Sequence, residues 1–138
     1  MTAPLPALLA LRDAVQECQG PDRELDARIA TVVFDIRPPV IWIVGDEEPI
    51  FFDEPLYKQE APHYTSSIDA SERLRMALLP KSSIDVVVDA RAHVTLYLAP
   101  DAPWCADERV QPFFGLHPVE SIARTLAVLN ALIGKERE

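Results

Sequence analysis

The stretch IDVVVDARAHVTLYL, residues 84–98, decides the fold of this 138-residue chain. Residues 84–88 and 94–98 are rich in β-branched and aromatic side chains, and only a short connection separates them. Two strands joined in this way pair antiparallel as a hairpin. Residues 86–88 are apolar at consecutive positions, as are residues 41–44, which indicates strands covered on both faces.

Four helices are predicted around this hairpin, because four segments combine a start signal, an apolar face and a stop signal. In the third of them, Ser66 is the predicted N-cap and Asp69 the acid of a capping box. The predicted start and stop residues are Pro6 and Gly20 for the first helix, Asp22 and Pro38 for the second, Ser66 and Pro80 for the third, and Pro118 and Gly134 for the fourth.

The remaining segments complete the predicted architecture. Residues 40–44 predict a further strand and residues 50–52 a weaker one, whereas residues 53–63 and 100–117 are predicted loops. Helices before, between and after the strands can cover both faces of a sheet. The chain is therefore predicted to be one α+β domain over residues 1–138, a three-layer α/β/α sandwich with a small, largely antiparallel sheet and about four helices.

Charge and cysteine content restrict the classes of function. The net charge is −9 and the isoelectric point about 4.7, with no basic patch, so direct nucleic-acid binding is not expected. A partner with a basic surface suits this charge, although an acidic surface also serves solubility alone. Cys18 and Cys105 are isolated thiols, and Arg12 interrupts the first apolar run, so we expect a cytoplasmic protein without a membrane segment.

The titratable side chains form no recognisable catalytic or metal-binding pattern. His63, His93 and His117 have no second ligand at helix or strand spacing, so no metal and no cofactor is predicted. His117 precedes Pro118 and is most simply an N-cap, and a Cys105–His117 nucleophile pair has nothing to position it. Catalysis by dispersed residues stays open, but a protein without enzymatic activity is favoured.

The segment of residues 46–54, here called the acidic-aromatic segment, is the predicted partner-binding surface. Apolar and aromatic side chains surrounded by charge are typical of small binding surfaces. The alternative is a solvated turn between strands. The predicted binding residues are Asp46, Glu47, Glu48, Phe51, Phe52, Asp53 and Glu54.

A second dense polar group, residues 64–69, lies at the start of the third helix. Its hydroxyl groups and the free backbone N–H groups of a helix start could bind an anion or another ligand. Helix capping requires the same residue types and is the favoured interpretation. The group consists of Tyr64, Thr65, Ser66, Ser67 and Asp69.

Three segments in this order resemble the phage ABA-sandwich domain family, small proteins of phages and prophages. They are GPDRELDARIA at residues 20–30, YTSSIDA at residues 64–70 leading to Leu79–Pro80, and the alanine-rich helix after His117–Pro118. The resemblance implies the three-layer fold and a phage or prophage context. It implies no catalytic residues.

These observations predict a small acidic phage-type accessory protein that binds a host or phage protein in the host cytoplasm. One specific form is an inhibitor of host defence, such as an anti-CRISPR protein, whose acidic surface competes for a basic groove. The alternatives are a virion structural or assembly protein, in which the last helix or a sheet edge mediates self-association, and an enzyme with dispersed active-site residues.

Overall fold

The computed structural model describes residues 4–34, 40–43, 57–98 and 112–136, and for residues 40–43 and 57–60 it describes the backbone only. The α+β class and the four helices are confirmed within these ranges. The helices are α1 (Leu5–Glu17), α2 (Arg23–Val33), α3 (Ile68–Leu78) and α4 (Glu120–Glu136), and the strands are β1 (Val40–Ile43), β2 (Tyr57–Glu60), β3 (Ser82–Val88), β4 (Ala92–Leu98) and β5 (Pro112–His117).

Strands β3, β4 and β5 form an antiparallel sheet in that order, and β1 pairs with β2 in a separate parallel pair. The predicted β3–β4 hairpin is confirmed. Two predicted loops are wrong in part, because the first contains β2 and the second contains β5. The sequence of β2 is polar, and β5 contains a proline and a glycine, so neither resembles a strand before its pairing is known.

The helix limits differ from the predicted ones at several ends. Helix α1 ends at Glu17, because Cys18 adopts an extended conformation well before Gly20. The Asp22 carboxylate caps α2 by accepting the Leu25 N–H, as predicted. Ser67, rather than Ser66, caps α3 by accepting the Ala70 N–H at 3.2 Å, so Asp69 is not at the capping-box position.

Helix α4 lies so close to the sheet that two contact positions, Gly115 and Gly134, have no room for a side chain. The α4 backbone passes over Gly115 of β5, where a Cβ atom would overlap the carbonyl oxygen of Ala123. The prediction that Gly134 ends α4 is wrong, because the helix continues to Glu136. Gly134 instead leaves room for the Phe113 ring. The helix also begins at Glu120, later than the predicted Pro118.

The core lies between one face of the sheet and the helices. Helix α4 packs on β4 and β5 with one side and on α1 and α3 with the other, and α1 also packs on α2. Ala92, Val94 and Leu96 of β4 are fully covered on this inner face. The predicted cover on both faces of β3 is wrong, because Val87 on the outer face is 62% exposed. The three-layer arrangement stays a prediction.

Candidate functional site

The acidic-aromatic segment, the first predicted site, lies outside the described residues. Its predicted binding residues are Asp46, Glu47, Glu48, Phe51, Phe52, Asp53 and Glu54, and the weaker strand at residues 50–52 falls within it. Trp104 and Cys105 also lie outside the described ranges, so the Cys105–His117 pair stays untested.

Three of the five residues in the second predicted site belong to the internal framework, namely Tyr64, Thr65 and Ser67, whereas Ser66 and Asp69 are exposed. The Thr65 N–H donates to Asp26 Oδ1 at 2.8 Å, and the Asp22 N–H donates to Thr65 Oγ1 at 2.8 Å. Arg23 Nη1 lies 2.7 Å from Asp26 Oδ2, and Asp26 is fully buried. These bonds attach the start of α2 to the turn before α3. Thr65 and Ser67 therefore serve structure, as the favoured capping interpretation holds.

Tyr64 belongs to the same framework and is not a candidate acid or base. Burial, together with the nearby Asp26 carboxylate, raises the pKa of Tyr64 to about 12. The phenol thus stays protonated and neutral at physiological pH. Its backbone oxygen also accepts the Thr125 hydroxyl of α4, at 3.5 Å.

An open groove of about 700 Å³ runs beside this polar group along α3. Ser67 in its wall already caps α3, and the rest of the wall mixes apolar residues with His63, Tyr64, Ser66, Asp69 and Arg73. Lining residues include Phe34, Pro62, Ala70, Arg73, Leu74 and Ala77.

His117 holds the end of β5 to the end of α1 and is fully engaged in doing so. Its Nδ1 accepts the Val119 N–H at 2.9 Å, and its Nε2 lies 2.6 Å from the Cys18 carbonyl oxygen. Because Nδ1 accepts a hydrogen bond, it carries no proton, so Nε2 carries the proton and donates a hydrogen bond to the Cys18 carbonyl oxygen. The predicted N-cap role of His117 is wrong, because α4 begins at Glu120 and His117 accepts the N–H of Val119, the residue before the helix, rather than an N–H of the first turn.

Cys18 lies beside His117 but is not an activated thiol. It is a free cysteine whose thiol donates to the Gly20 carbonyl oxygen at 2.8 Å. Burial raises the pKa of Cys18, helped by the charges of Asp22 and Asp26. A thiol that stays protonated is a poor nucleophile. The described residues also contain no cluster of three or more side chains that could hold a metal ion.

The outer face of the sheet exposes large apolar side chains among polar ones, and we find no described element packed over it. Val87 is 62% exposed, Phe114 61% and Leu116 41%, whereas Ala92, Val94 and Leu96 on the inner face are buried. Side chains alternate along a strand, so the strand register defines which residues share the outer face. They form three rows across the sheet: Val87, His93 and Leu116; Asp85, Thr95 and Phe114; and Ser83, Tyr97 and Pro112.

Side chains bond two outward carbonyl groups on the β5 edge of this sheet. Asn130 Nδ2 of α4 donates to the Phe114 carbonyl oxygen at 2.7 Å, and Gln16 Nε2 of α1 donates to the Leu116 carbonyl oxygen at 3.2 Å. Both carbonyl groups point away from β4. A strand of another chain would therefore have to compete with these side chains for the two carbonyl groups.

The β3 edge is open along most of its length. The Ser82 N–H donates to the Leu79 oxygen and the Ser82 oxygen accepts Arg75 Nη1, so its backbone groups point away from β4. By the two-residue period of a strand, those of Ile84, Val86 and Val88 point the same way. Within the described part of the chain, no hydrogen-bond partner satisfies these three residues on that side.

The outer face and the β3 edge, taken together, are the candidate functional site. Sequence reasoning missed the outer face because β5 was predicted as a loop, which separated Phe114 and Leu116 from Val87. The signal available was the alternation of Phe114 and Leu116 around Gly115. It is short and contains a residue that weakens strands.

No family model, curated protein or solved structure matches the chain. The resemblance to the phage ABA-sandwich domain family thus stays a prediction. Among the described helices, none has the length and apolar character that crossing a membrane requires.

Proposed function

We propose that this chain acts by binding another protein, and that the outer face of β3, β4 and β5 is part of its binding surface. The observation that carries the proposal is the exposure of Val87, Phe114 and Leu116 on one side of a small sheet. Phe114 and Leu116 are neighbours on this face of β5, and exposed apolar side chains that lie together are typical of interaction sites. Burial of this face contributes about 25 cal/mol for each Å² of apolar surface removed from water.

The partner we propose is a protein with a basic surface around an apolar centre. The net charge of −9 favours approach of a positively charged surface and speeds the encounter. The acidic-aromatic segment, residues 46–54, adds to this charge and is retained as a second part of the proposed surface.

The biological setting that we propose follows from the resemblance: a phage or prophage protein acting in the host cytoplasm on a host or phage protein. Inhibition of a defence protein that uses a basic nucleic-acid groove, as anti-CRISPR proteins do, is one form of this activity. In that form the acidic surface takes the place of the nucleic-acid backbone.

The test is affinity capture from a bacterial host lysate, followed by binding of the purified captured protein. We expect a stoichiometric partner whose affinity falls at least about tenfold in the double variant Phe114→Ser/Leu116→Ser. Met76→Ser is the matched control, because Met76 is 51% exposed but lies on α3. Equal loss in both variants, or none in either, would contradict the proposed surface.

The contribution of charge is tested in the same assay with the triple variant Asp46→Lys/Glu47→Lys/Glu48→Lys. Binding that weakens with salt in the native chain, and weakens further in this variant, supports a basic partner. If the triple variant inhibits a defence protein as well as the native chain does, competition by the acidic surface is wrong.

A further inference from the structure

We infer that β3 accepts an extended strand of the partner along its open edge, with a basic residue of that strand opposite Asp85. The inference rests on the proposed function and names how the partner is bound. Addition of a strand to an exposed sheet edge is a recurring mode of peptide recognition, in which backbone hydrogen bonds supply affinity and alternate side chains supply specificity.

The backbone of β3 offers a complete set of bonds to such a strand. Ile84, Val86 and Val88 present their N–H and C=O groups on the side away from β4. Ser82 marks one end of this row, since Leu79 and Arg75 already satisfy it. Proteins usually protect such edges with charges, prolines or covering elements. The β5 edge has side-chain partners at two carbonyl groups, whereas β3 carries the charge of Asp85 but no covering side chain from Ile84 to Val88 among the described residues.

The side chains of β3 specify what the added strand carries. Ile84 and Val86 are half-buried on the inner face, so apolar residues opposite them extend the core. Asp85 is exposed on the outer face, and no described residue forms an ion pair with it. An opposite charge directly across a strand pair is favourable, whereas a like charge is not. The fitting strand therefore alternates apolar residues with a lysine or arginine facing Asp85.

Charge also selects a foreign strand over a second copy of this chain. Two copies carry −9 each and repel one another. A two-fold pairing of β3 centred on Asp85 places the two Asp85 carboxylates opposite each other.

The test is titration of the full chain with the peptide acetyl-Ser-Val-Thr-Val-Lys-Val-Ser-amide, followed by NMR of the backbone amides. The control peptide replaces Lys with Glu. We expect the amide signals of Ile84, Val86 and Val88 to shift, and the Lys peptide to bind about fivefold more tightly than the Glu peptide. In the Asp85→Lys variant the preference should reverse.

A second pair of reagents tests the backbone bonds. Val86→Pro removes an edge-facing N–H, and a peptide N-methylated at its central Val removes the matching donor; each should weaken binding at least about tenfold. If Val86→Pro fails to fold, the methylated peptide and the reversed preference of Asp85→Lys still test whether a strand binds along β3.

Three results would overturn the inference: equal affinity for both peptides, shifts confined to residues away from β3, or dimerisation of the native chain through β3 without peptide. Failure of strand addition can be distinguished from failure of the proposed function. A captured partner that is lost in Phe114→Ser/Leu116→Ser but bound normally by Asp85→Lys supports the outer face and contradicts strand addition.

Discussion

Strands β5 and β3 are the two edges of one sheet, but their surroundings are opposite. At β5, α4 approaches to backbone contact over Gly115, and Asn130 and Gln16 occupy the outward carbonyl groups. At β3, backbone groups and apolar side chains remain uncovered. Substitutions near the closed edge should therefore change stability, whereas those at the open edge should change binding.

The largest effect is expected where α4 meets β5. Gly115→Ala should destabilise the fold by more than about 3 kcal/mol, because the added Cβ overlaps backbone atoms of α4 that cannot move independently. Gly20→Ala is the matched control, since nothing lies within 4 Å of a Cβ built there. Chemical denaturation of both variants measures the difference. Equal stability of the two variants would show that α4 does not lie against β5 as described.

The fold near this closed edge shows what sequence can and cannot predict. The β3–β4 hairpin and the Asp22 cap were predictable, because β-branched runs and capping residues act through their neighbours in sequence. Strand β5 was not, because Gly115 weakens a strand locally and is required only by the approach of α4. The open edge was also unpredictable, since it depends on which way the Ser82 backbone faces.

The polar framework under the helices should give the next largest effect. Asp26→Ala should cost about 3 kcal/mol, because it leaves the buried Thr65 N–H without an acceptor and removes the ion partner of Arg23. Asp26→Asn keeps an acceptor oxygen and should cost less. Thermal unfolding compares the two. If Asp26→Ala is the milder change, Asp26 does not bind Thr65 and Arg23 as described.

Removing a side chain that bonds the β5 edge should make the exposure of its backbone groups more like that of β3. Asn130→Ala exposes the Phe114 carbonyl and should cost about 1 kcal/mol. Val87→Ser on the open face should change the unfolding free energy by less than about 0.5 kcal/mol, because Val87 is 62% exposed. Urea denaturation measures both. A larger loss for Val87→Ser would mean that the outer face is covered in the folded chain.

The last expected effect depends on pH and is comparable in size to that of Asn130→Ala. Hydrogen bonds from Arg75 Nε and Nη2 at 3.0 and 2.8 Å, with the charges of Arg75 and Arg124, hold the pKa of Glu72 below its ordinary value of 4.5. A lowered folded pKa stabilises the fold above the unfolded value, and this stabilisation is lost as pH falls below about 4.5.

The difference in unfolding free energy between the native chain and Glu72→Gln measures this term. It should be roughly 1 kcal/mol at pH 7, because Glu72 is partly exposed, and should shrink as the pH falls below 4.5. A difference that stays constant from pH 7 to pH 3 would mean that the Arg75 contact does not depend on the charge of Glu72.

Amide hydrogen exchange along β3 tests the contrast between the two edges most directly. In the free chain we expect alternation: the amides of Ser83, Asp85 and Val87, which face β4, exchange slowly, and those of Ile84, Val86 and Val88 exchange quickly. The captured partner should then slow the second set. Uniform protection of β3 in the free chain, or an exchange pattern that the partner leaves unchanged, would contradict an open edge that serves binding.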